Sequence, residues 1–219
     1  MRGAGQGDGG SSGARELELK AVVTDPAAVA ARLEAGGAGL RFRGLMHDRR
    51  FDTPDRSLLE RDEVLRVRTF EPAGTGDAHR ELTWKGPTRR SNGYKEREEL
   101  QLAVADSAAM SDVLARLHYE LSDAVDRAVQ YYDVEGAVVR LEWYPRMDVL
   151  VEVEGSPEGI ERAVARTGIP RGEFTAERLI DFAARFQERT GTEAVLRLDR
   201  MGPYEKPGWP HWAVKRQEL

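Results

Sequence analysis

Glutamate and lysine alternate with leucine near the start of the sequence. Glu16, Glu18 and Lys20 are spaced two residues apart in the segment ELELK. On a β-strand, side chains two residues apart point to the same face, so these three charged groups would share one face, and Leu17 and Leu19 the other. Carboxylates suit hard divalent cations, and a lysine suits an anion. Taken alone, ELELK is more typical of a strand edge that faces solvent.

The same arrangement of one apolar face and one polar face returns in later segments. The residue pairs on the polar faces are Arg66 and Arg68, Thr83 and Lys85, Arg97 and Glu99, Arg140 and Glu142, and Glu152 and Glu154. A sheet whose second face merely meets water more often carries Thr, Ser, Lys and Gln there. Charges of both signs at matched spacing therefore indicate polar faces that converge, as when a sheet closes around them.

Eight segments with alternating polarity must position these side chains. The predicted strands are residues 15–23, 45–52, 64–69, 80–85, 94–104, 124–133, 137–143 and 149–154. Amphipathic patterns predict helices after Asp25-Pro26 and over residues 107–117, 157–166 and 175–188. Because many strands are adjacent along the chain and can pair antiparallel, we expect an α+β fold instead of a parallel βαβ sheet.

Six motifs in order resemble those of one known family. They are ELELK, DRRFDTPDRSLLERDEVLRVR, ELTWKGP, KEREELQLAVAD, VDRAVQYY and VVRLEWYPRMDVLVEVEG. Together they resemble the CYTH superfamily, the triphosphate tunnel metalloenzymes, over roughly residues 15–168. The layout is most similar to the branch that contains the class IV adenylyl cyclases and thiamine triphosphatases.

This resemblance implies a fold and a set of site residues. The fold is a closed antiparallel β-barrel of eight strands, with flanking α-helices and a tunnel that holds a triphosphate and Mg²⁺ or Mn²⁺. The implied metal ligands are Glu16, Glu18, Glu99, Glu152 and Glu154. The implied phosphate-binding residues are Lys20, Arg66, Arg68, Lys85, Arg97 and Arg127. The implied catalytic residues are Lys20, Arg127 and Glu142, which stands where the family usually has Asp. A second departure is Asp148, which replaces a usual Gly.

Electrostatics supports these assignments. The inward set has six acids, counting Glu142, and six bases, so its formal charge is zero. Converging charges are costly unless they are paired or hydrated. Arginines suit the oxygens of a triphosphate, which carries about four negative charges, as bidentate donors. Carboxylates alone would repel that ligand, so they fit only if they hold a divalent cation.

The reaction remains open between two classes. The branch-level likeness favours an adenylate cyclase, in which the 3′-hydroxyl of ATP attacks the α-phosphorus and pyrophosphate leaves. The alternative is a triphosphatase, in which water attacks tripolyphosphate, thiamine triphosphate or a nucleoside triphosphate. A non-catalytic sensor that traps a triphosphate is the contrasting possibility. A homodimer is left open.

Composition sets the remaining expectations. The chain has 219 residues, no cysteine and a net charge of −5. These values exclude a disulfide scaffold and thiolate metal sites and argue against stable nucleic-acid binding. With no apolar run of membrane-spanning length and no apolar signal segment, we expect a cytoplasmic protein without membrane association. We expect a disordered tail over residues 1–14, a CYTH domain over 15–190 and an extension over 191–219.

Overall fold

The computed structural model describes residues 14–214 of the chain, and their side chains except those of residues 14–16 and 91. The expected N-terminal tail therefore lies outside the described residues, apart from Ala14, which begins the first strand. The last five residues of the expected extension lie outside them as well. In the described part of the chain, no helix is long and apolar enough to cross a membrane.

Antiparallel strands form most of the described structure. They are β1 (Ala14–Val23), β2 (Gly39–Asp52), β3 (Val64–Pro72), β4 (His79–Lys85), β5 (Arg89–Ser91), β6 (Tyr94–Ala103), β7 (Glu120–Val134), β8 (Ala137–Trp143) and β9 (Val149–Gly155). The helices are α1 (Pro26–Ala35), α2 (Ser57–Glu60), α3 (Ser107–Arg116), α4 (Pro157–Thr167), α5 (Leu179–Thr190) and α6 (His211–Val214).

Eight of these strands close into a barrel. The order is β1-β9-β8-β7-β2-β3-β4-β6, and β6 pairs with β1 again. Glu18 of β1 shows the closure, because it is opposite Glu154 of β9 on one side and Lys95 of β6 on the other. The short β5 pairs with β6 beside the end of β4. The predicted closed antiparallel barrel of eight strands with flanking helices is confirmed.

The main hydrophobic core lies outside the barrel wall. Residues such as Leu19 of β1 and Val153 of β9 point outward and are buried against α1 and α4. Both helices begin with a side-chain cap followed by proline, the usual start of a helix. Since one residue in two along each strand faces this core, the alternate residues must face the interior of the barrel.

Two further helices cover other parts of the barrel. α3 buries Leu114 against Phe51 and Val67, on the outer face of β2 and β3. α5 lies over one end, where Phe182 packs against Leu150 and other apolar side chains. The opposite end of the barrel lacks such a helix among the described residues.

The segment after α5 packs against the barrel. Val195 exchanges backbone hydrogen bonds with Arg146, and Trp209 is buried in the main core. Trp212 meets Trp143 edge to face, with ring centroids 5.9 Å apart. These contacts hold the described part of the C-terminal extension in place, although no element in it is evident from the sequence.

Some element boundaries differ from the predicted ones. β2 begins at Gly39 instead of residue 45, and α2 and β5 are additional short elements. α5 begins at Leu179 instead of residue 175, because Thr175 exchanges backbone hydrogen bonds with Lys20 of β1. The backbone N–H of Arg178 then donates to the Asp181 carboxylate, which caps the helix.

Candidate active site

The barrel encloses a cavity of about 920 Å³. Inward-facing side chains from its eight strands line the cavity, and several of these charged side chains are almost fully buried. That volume is at the large end of the range for small-molecule sites. A polar cavity of this kind keeps opposite charges close while leaving room for a ligand.

The structure brings nearly all the predicted site residues into this cavity. Its lining includes Glu18, Lys20, Arg66, Arg68, Lys85, Arg97, Glu99, Arg127, Glu152 and Glu154. Glu142 is fully buried beside them and contacts Arg127 and Arg140. Glu16 is opposite Arg97 in the β1–β6 register, but its side chain lies outside the described part. Placement thus agrees with the predicted inward faces, while the roles of these residues stay predictions.

One group of alternating charges joins β6, β1 and β9. Lys95 Nζ lies 2.5 Å from Glu18 Oε1, which lies 2.7 Å from Lys20 Nζ. Lys20 Nζ is also 2.6 Å from Glu152 Oε2. Burial disfavours the charged Lys20, but Glu152 and Glu18 outweigh this effect, so the pKa of Lys20 is raised. Lys20 therefore stays an ammonium group held between two carboxylates.

The group continues across β8 to β7. Arg140 donates to Glu152 and, over 2.7 Å, to Glu142 Oε1. Glu142 Oε2 accepts a 2.5 Å hydrogen bond from the Tyr144 hydroxyl, and Arg127 Nε lies 3.4 Å from Oε1. Burial and the adjacent Glu142 raise the pKa of Tyr144 well above its ordinary value. Tyr144 is therefore a neutral hydrogen-bond donor that holds Glu142 in place.

Asp48 lies at the β2 end of this group, where it contacts three arginines. Its carboxylate accepts hydrogen bonds from Arg68 Nε and Nη2 at 2.6 and 2.8 Å, and from Arg127 Nη2 at 2.8 Å. Arg66 Nη1 lies 3.8 Å away. Burial alone would raise the pKa of Asp48, but these guanidinium groups hold it well below its ordinary value. Asp48 is therefore ionised and occupies the bidentate face of Arg68.

A last group lies where β3, β4 and β6 meet. Glu99 is 2.9 Å from Lys85 Nζ and 3.7 Å from Arg66 Nη2. Arg97 uses its guanidinium group differently, because it donates to the backbone carbonyls of Gly86, at 2.6 Å, and Asp62. Arg97 thus ties the loop after β4 to the turn before β3. Glu99 thus contacts the lysine of β4 and an arginine of β3.

The sequence prediction missed several charged lining residues, and four of them lie deep among the predicted ones. They are Asp48, Glu81, Lys95 and Arg140. Three of them have the same period-two phase as predicted neighbours: Glu81 precedes Thr83 and Lys85, Lys95 precedes Arg97, and Arg140 was noted only as the partner of Glu142. Extending the alternation along each strand would have found them. Asp48 is harder, because the run Asp48-Arg49-Arg50 has charges on both faces.

The fit of a divalent cation can be tested on the carboxylates. Among the described side chains, no three Asp, Glu or His groups already form an arrangement that could hold a metal ion. The donor chemistry nevertheless fits, because Glu18 and Glu152 both direct an oxygen at one ammonium nitrogen. Glu154 is opposite Glu18 on the neighbouring strand. Carboxylate oxygens that converge on one positive charge suit Mg²⁺ or Mn²⁺.

Comparisons with known proteins give a family and several relatives. The model of the CYTH domain family matches residues 14–166. A protein of Methanocaldococcus jannaschii named "Putative adenylate cyclase MJ0240" is 24% identical over 141 residues, which are 64% of this chain and 77% of that protein.

Two solved structures share the fold at low identity. A "putative adenylate cyclase" from Vibrio parahaemolyticus has a TM-score of 0.67 at 17% identity, covering 79% of this chain and 99% of that one. The adenylyl cyclase-like protein HpAC1 from Hippeastrum, described as having a dominant triphosphatase activity, has a TM-score of 0.55 at 20% identity. This match covers 84% of the present chain and 98% of that chain. At such identity these likenesses indicate a common fold alone.

Proposed function

Because the chain belongs to the CYTH domain family, we propose that it is a metal-dependent enzyme that acts on a triphosphate inside the barrel. The reaction that we propose converts ATP to cyclic AMP and pyrophosphate. One observation carries the proposal: cationic side chains from seven of the barrel strands, including Lys20, Arg66 and Arg127, line a single enclosed cavity together with carboxylates. The cationic side chains are needed to bind a polyanion, and the carboxylates are needed to bind a divalent cation.

Arginines of the lining would hold the phosphate oxygens. Arg66, Arg68 and Arg127 surround one buried carboxylate, that of Asp48, so an anionic group already fits among their guanidinium groups. Arginine presents paired donors that match phosphate geometry. Lys85 and Lys20 would add ammonium donors beside this cluster. Such fixed donors stabilise the negative charge that spreads over phosphate oxygens in the transition state.

The glutamates of β1 and β9 would hold the metal. Glu18, Glu152 and Glu154 would supply hard oxygen donors on adjacent strands, and the period-two spacing predicts that Glu16 would add another. When bound, Mg²⁺ or Mn²⁺ would supply positive charge that offsets part of the negative charge of the phosphates. Lys20, now between Glu18 and Glu152, would remain a positive group next to the cation and the substrate.

Glu142 would act through its buried hydrogen bonds. It accepts from Tyr144 and Arg140 and lies beside Arg127. The longer Glu side chain, in place of the Asp usual in the family, still reaches both arginines. We propose that Glu142 positions Arg127 against the substrate, and that Arg127 and Lys20 contact the reacting phosphate.

Hydrolysis of a triphosphate is the second candidate function. It is favoured by the described triphosphatase activity of the Hippeastrum protein, which shares this fold. The two reactions need the same arginines and the same metal, but differ in whether a ribose hydroxyl or water is in line with the attacked phosphorus. The depth of the phosphate chain in the cavity decides between them.

A product assay tests the proposal. The protein is incubated with ATP, with tripolyphosphate and with thiamine triphosphate, each with Mg²⁺ or Mn²⁺ and with EDTA, and the products are separated. Cyclic AMP with pyrophosphate supports the cyclase, and orthophosphate supports the triphosphatase. Tight binding without turnover identifies a sensor. Neither binding nor turnover with any of the three substrates would contradict the proposal.

A further inference from the structure

Four aromatic rings surround the end of the cavity that α5 does not cover. Phe42, Phe70, His79 and Tyr131 come from β2, β3, β4 and β7, and all four line the cavity. Phe42 meets Phe70 and Tyr131 edge to face, with ring centroids 5.5 and 5.9 Å apart. The His79 ring stacks on Phe70 at 5.8 Å. We call these four side chains the aromatic mouth.

The backbone of β2 is shaped to bring Phe42 into this mouth. Leu40 is opposite Tyr132, and Phe42 is opposite Tyr131, so the register shifts by one residue between them. Such a bulge turns the following side chain to the other face of the sheet. Tyr132 is buried on the outer face, whereas Tyr131 lines the cavity. The bulge therefore places Phe42 on the inner face, beside Tyr131.

Gly44 gives the Phe42 ring its space. A Cβ at this position would lie 2.7 Å from Cζ of Phe42 and 2.1 Å from the carbonyl oxygen of Glu71. A side chain there would push the ring away from the wall of the barrel. The bulge and Gly44 both favour the observed position of the Phe42 ring, so the backbone of β2 is adapted to this ring.

The aromatic mouth is continuous with the arginine lining. The guanidinium carbon of Arg68 lies 5.7 Å from the Phe70 ring centroid, and that of Arg140 lies 5.2 Å from the Tyr131 centroid. Arg140 Nη1 also donates a 3.0 Å hydrogen bond to the Tyr131 hydroxyl. A ligand that contacts both regions has an anionic chain at one end and a flat ring at the other.

Polar side chains next to the aromatic mouth are placed to form hydrogen bonds with the edge of the ligand's ring. Glu81 lies 3.6 Å from His79 and accepts a 2.5 Å hydrogen bond from Gln101, and both Glu81 and Gln101 line the cavity. A carboxylate and an amide offer acceptors and donors to the exocyclic groups of a base. Inorganic tripolyphosphate has no ring that could stack on the aromatic side chains.

We propose that the aromatic mouth stacks against the base of a nucleoside triphosphate whose phosphates lie among the arginines. This inference rests on the proposed function and narrows its substrate class to nucleotides over inorganic tripolyphosphate. Aromatic side chains stack on the π-face that every base has, so the aromatic mouth favours a ligand with a base over one without, whichever base it is.

Paired titrations of two analogues test the inference. Wild-type protein, Phe70→Leu and Phe42→Leu are titrated in Mg²⁺ buffer with α,β-methylene ATP and with imidotriphosphate. Leucine keeps an apolar side chain but has no ring to stack. We expect each variant to bind the nucleotide about tenfold more weakly, within the range for loss of one stacking ring, and imidotriphosphate as tightly as wild type does.

Two controls accompany the titrations. Phe186→Leu changes a phenylalanine of α5 that does not line the cavity, and should leave both affinities unchanged. Phe70→Tyr keeps a ring and should keep the preference for the nucleotide. Thermal unfolding of each variant identifies loss of the fold, and having two leucine variants on different strands guards against one that does not fold.

Three results would overturn the inference in distinguishable ways. An equal loss of affinity for both analogues would mean that the rings only close the end of the barrel. Unchanged nucleotide affinity in both folded leucine variants would remove the base from the aromatic mouth while leaving the proposed function in place. Failure of the wild-type protein to bind either analogue would remove the proposed function, and this inference with it.

Discussion

At the scale of single residues, Asp48 is a buried carboxylate surrounded by arginines. It is 1% exposed, and its charge offsets those of Arg66, Arg68 and Arg127. Removing one member of a buried group of charges leaves the others uncompensated, which commonly costs several kcal/mol. Asp48 therefore stabilises the barrel, and we expect it to compete with phosphate for the same guanidinium groups.

We expect Asp48→Asn to destabilise the protein and to make added anions more stabilising. Loss of the carboxylate should cost about 3 kcal/mol, which for a chain of this size lowers Tm by roughly 6–12 °C. Tripolyphosphate should then raise Tm more in the variant than in wild type, because it supplies the missing charge. Thermal unfolding with and without tripolyphosphate measures both effects, and Asp133→Asn, an exposed change on β7, is the control. An equal response of Asp48→Asn and wild type would show that Asp48 does not compete with the anion.

We expect Glu18→Gln to abolish metal-dependent turnover and to leave the barrel folded. The amide keeps the shape of the side chain but lacks the charge that attracts a divalent cation. Turnover with Mg²⁺ or Mn²⁺ and far-UV circular dichroism are measured on the same preparation. Glu98→Gln, an exposed change on β6, should behave as wild type. Retained activity in Glu18→Gln would remove this residue from the metal site.

The sequence alone predicts which side chains of the site point into the barrel, but it does not predict which of them form ion pairs. Alternation alone places Glu18 and Lys20 on one face, and both line the cavity. The pairing of Lys20 with Glu152, or of Asp48 with Arg127, depends on the register between strands that are more than 70 residues apart in sequence. Register is a property of the closed sheet, so no single segment contains it.

At the scale of elements, β2 shows where local pattern stops being informative. Its second half, residues 45–52, is predicted as a strand, but the first half, Gly39 to Gly44, has a bulge and two glycines that interrupt the pattern. The four-residue helix α2 is likewise too short to give a helical pattern. By contrast, β1, β3 and β9 each contain a strictly alternating run, LELK, LRVR and VEVE, in which successive residues face the core and the cavity in turn.

We expect Gly44→Ala to destabilise the barrel, and Gly39→Ala on the same strand to be nearly neutral. A Cβ at residue 44 would lie 2.1 Å from the Glu71 carbonyl oxygen, whereas nothing lies within 4 Å of a Cβ at residue 39. Forcing an extra carbon into a filled site costs about 1–3 kcal/mol. Urea or thermal unfolding of the two variants measures the difference. Equal stabilities would mean that β2 and β3 can separate at this point without cost.

At the scale of the whole molecule, Asp126 links the barrel to the C-terminal segment. Its carboxylate lies 2.8 Å from His47 Nδ1 and 2.8 Å from Arg49 Nη1 on β2. The other oxygen accepts a 2.9 Å hydrogen bond from the backbone N–H of Leu198. One outward-facing side chain of β7 therefore joins β2 to residues beyond α5.

The stability contributed by Asp126 should depend on pH at the acid end. Burial raises the pKa of Asp126, but hydrogen bonds from His47, Leu198 and Arg49 outweigh this and lower it from 3.8 to about 2. A carboxyl group with a depressed folded-state pKa stabilises the protein above its ordinary pKa and loses this effect as pH falls toward the depressed one.

We therefore expect Asp126→Asn to have a lower Tm than wild type at pH 6, and the two Tm values to converge between about pH 4 and pH 2. Thermal unfolding across this pH range measures the difference, and Asp199→Asn, in the C-terminal segment, is the control. A Tm difference that stays constant down to pH 2 would show that the Asp126 charge does not stabilise the fold.

The position of β1 between β9 and β6 has a consequence for folding. β1 comes first along the chain among the described strands, yet both its neighbours, which start at residues 94 and 149, come much later. During synthesis, the backbone groups of ELELK have no strand partner on one side until residue 94 and beyond have been made, and none on the other side until residue 149 and beyond have been made. Contacts so distant in sequence form slowly. Closure of the ring is therefore expected to be the late step of folding, and exposure to aggregation is greatest before it.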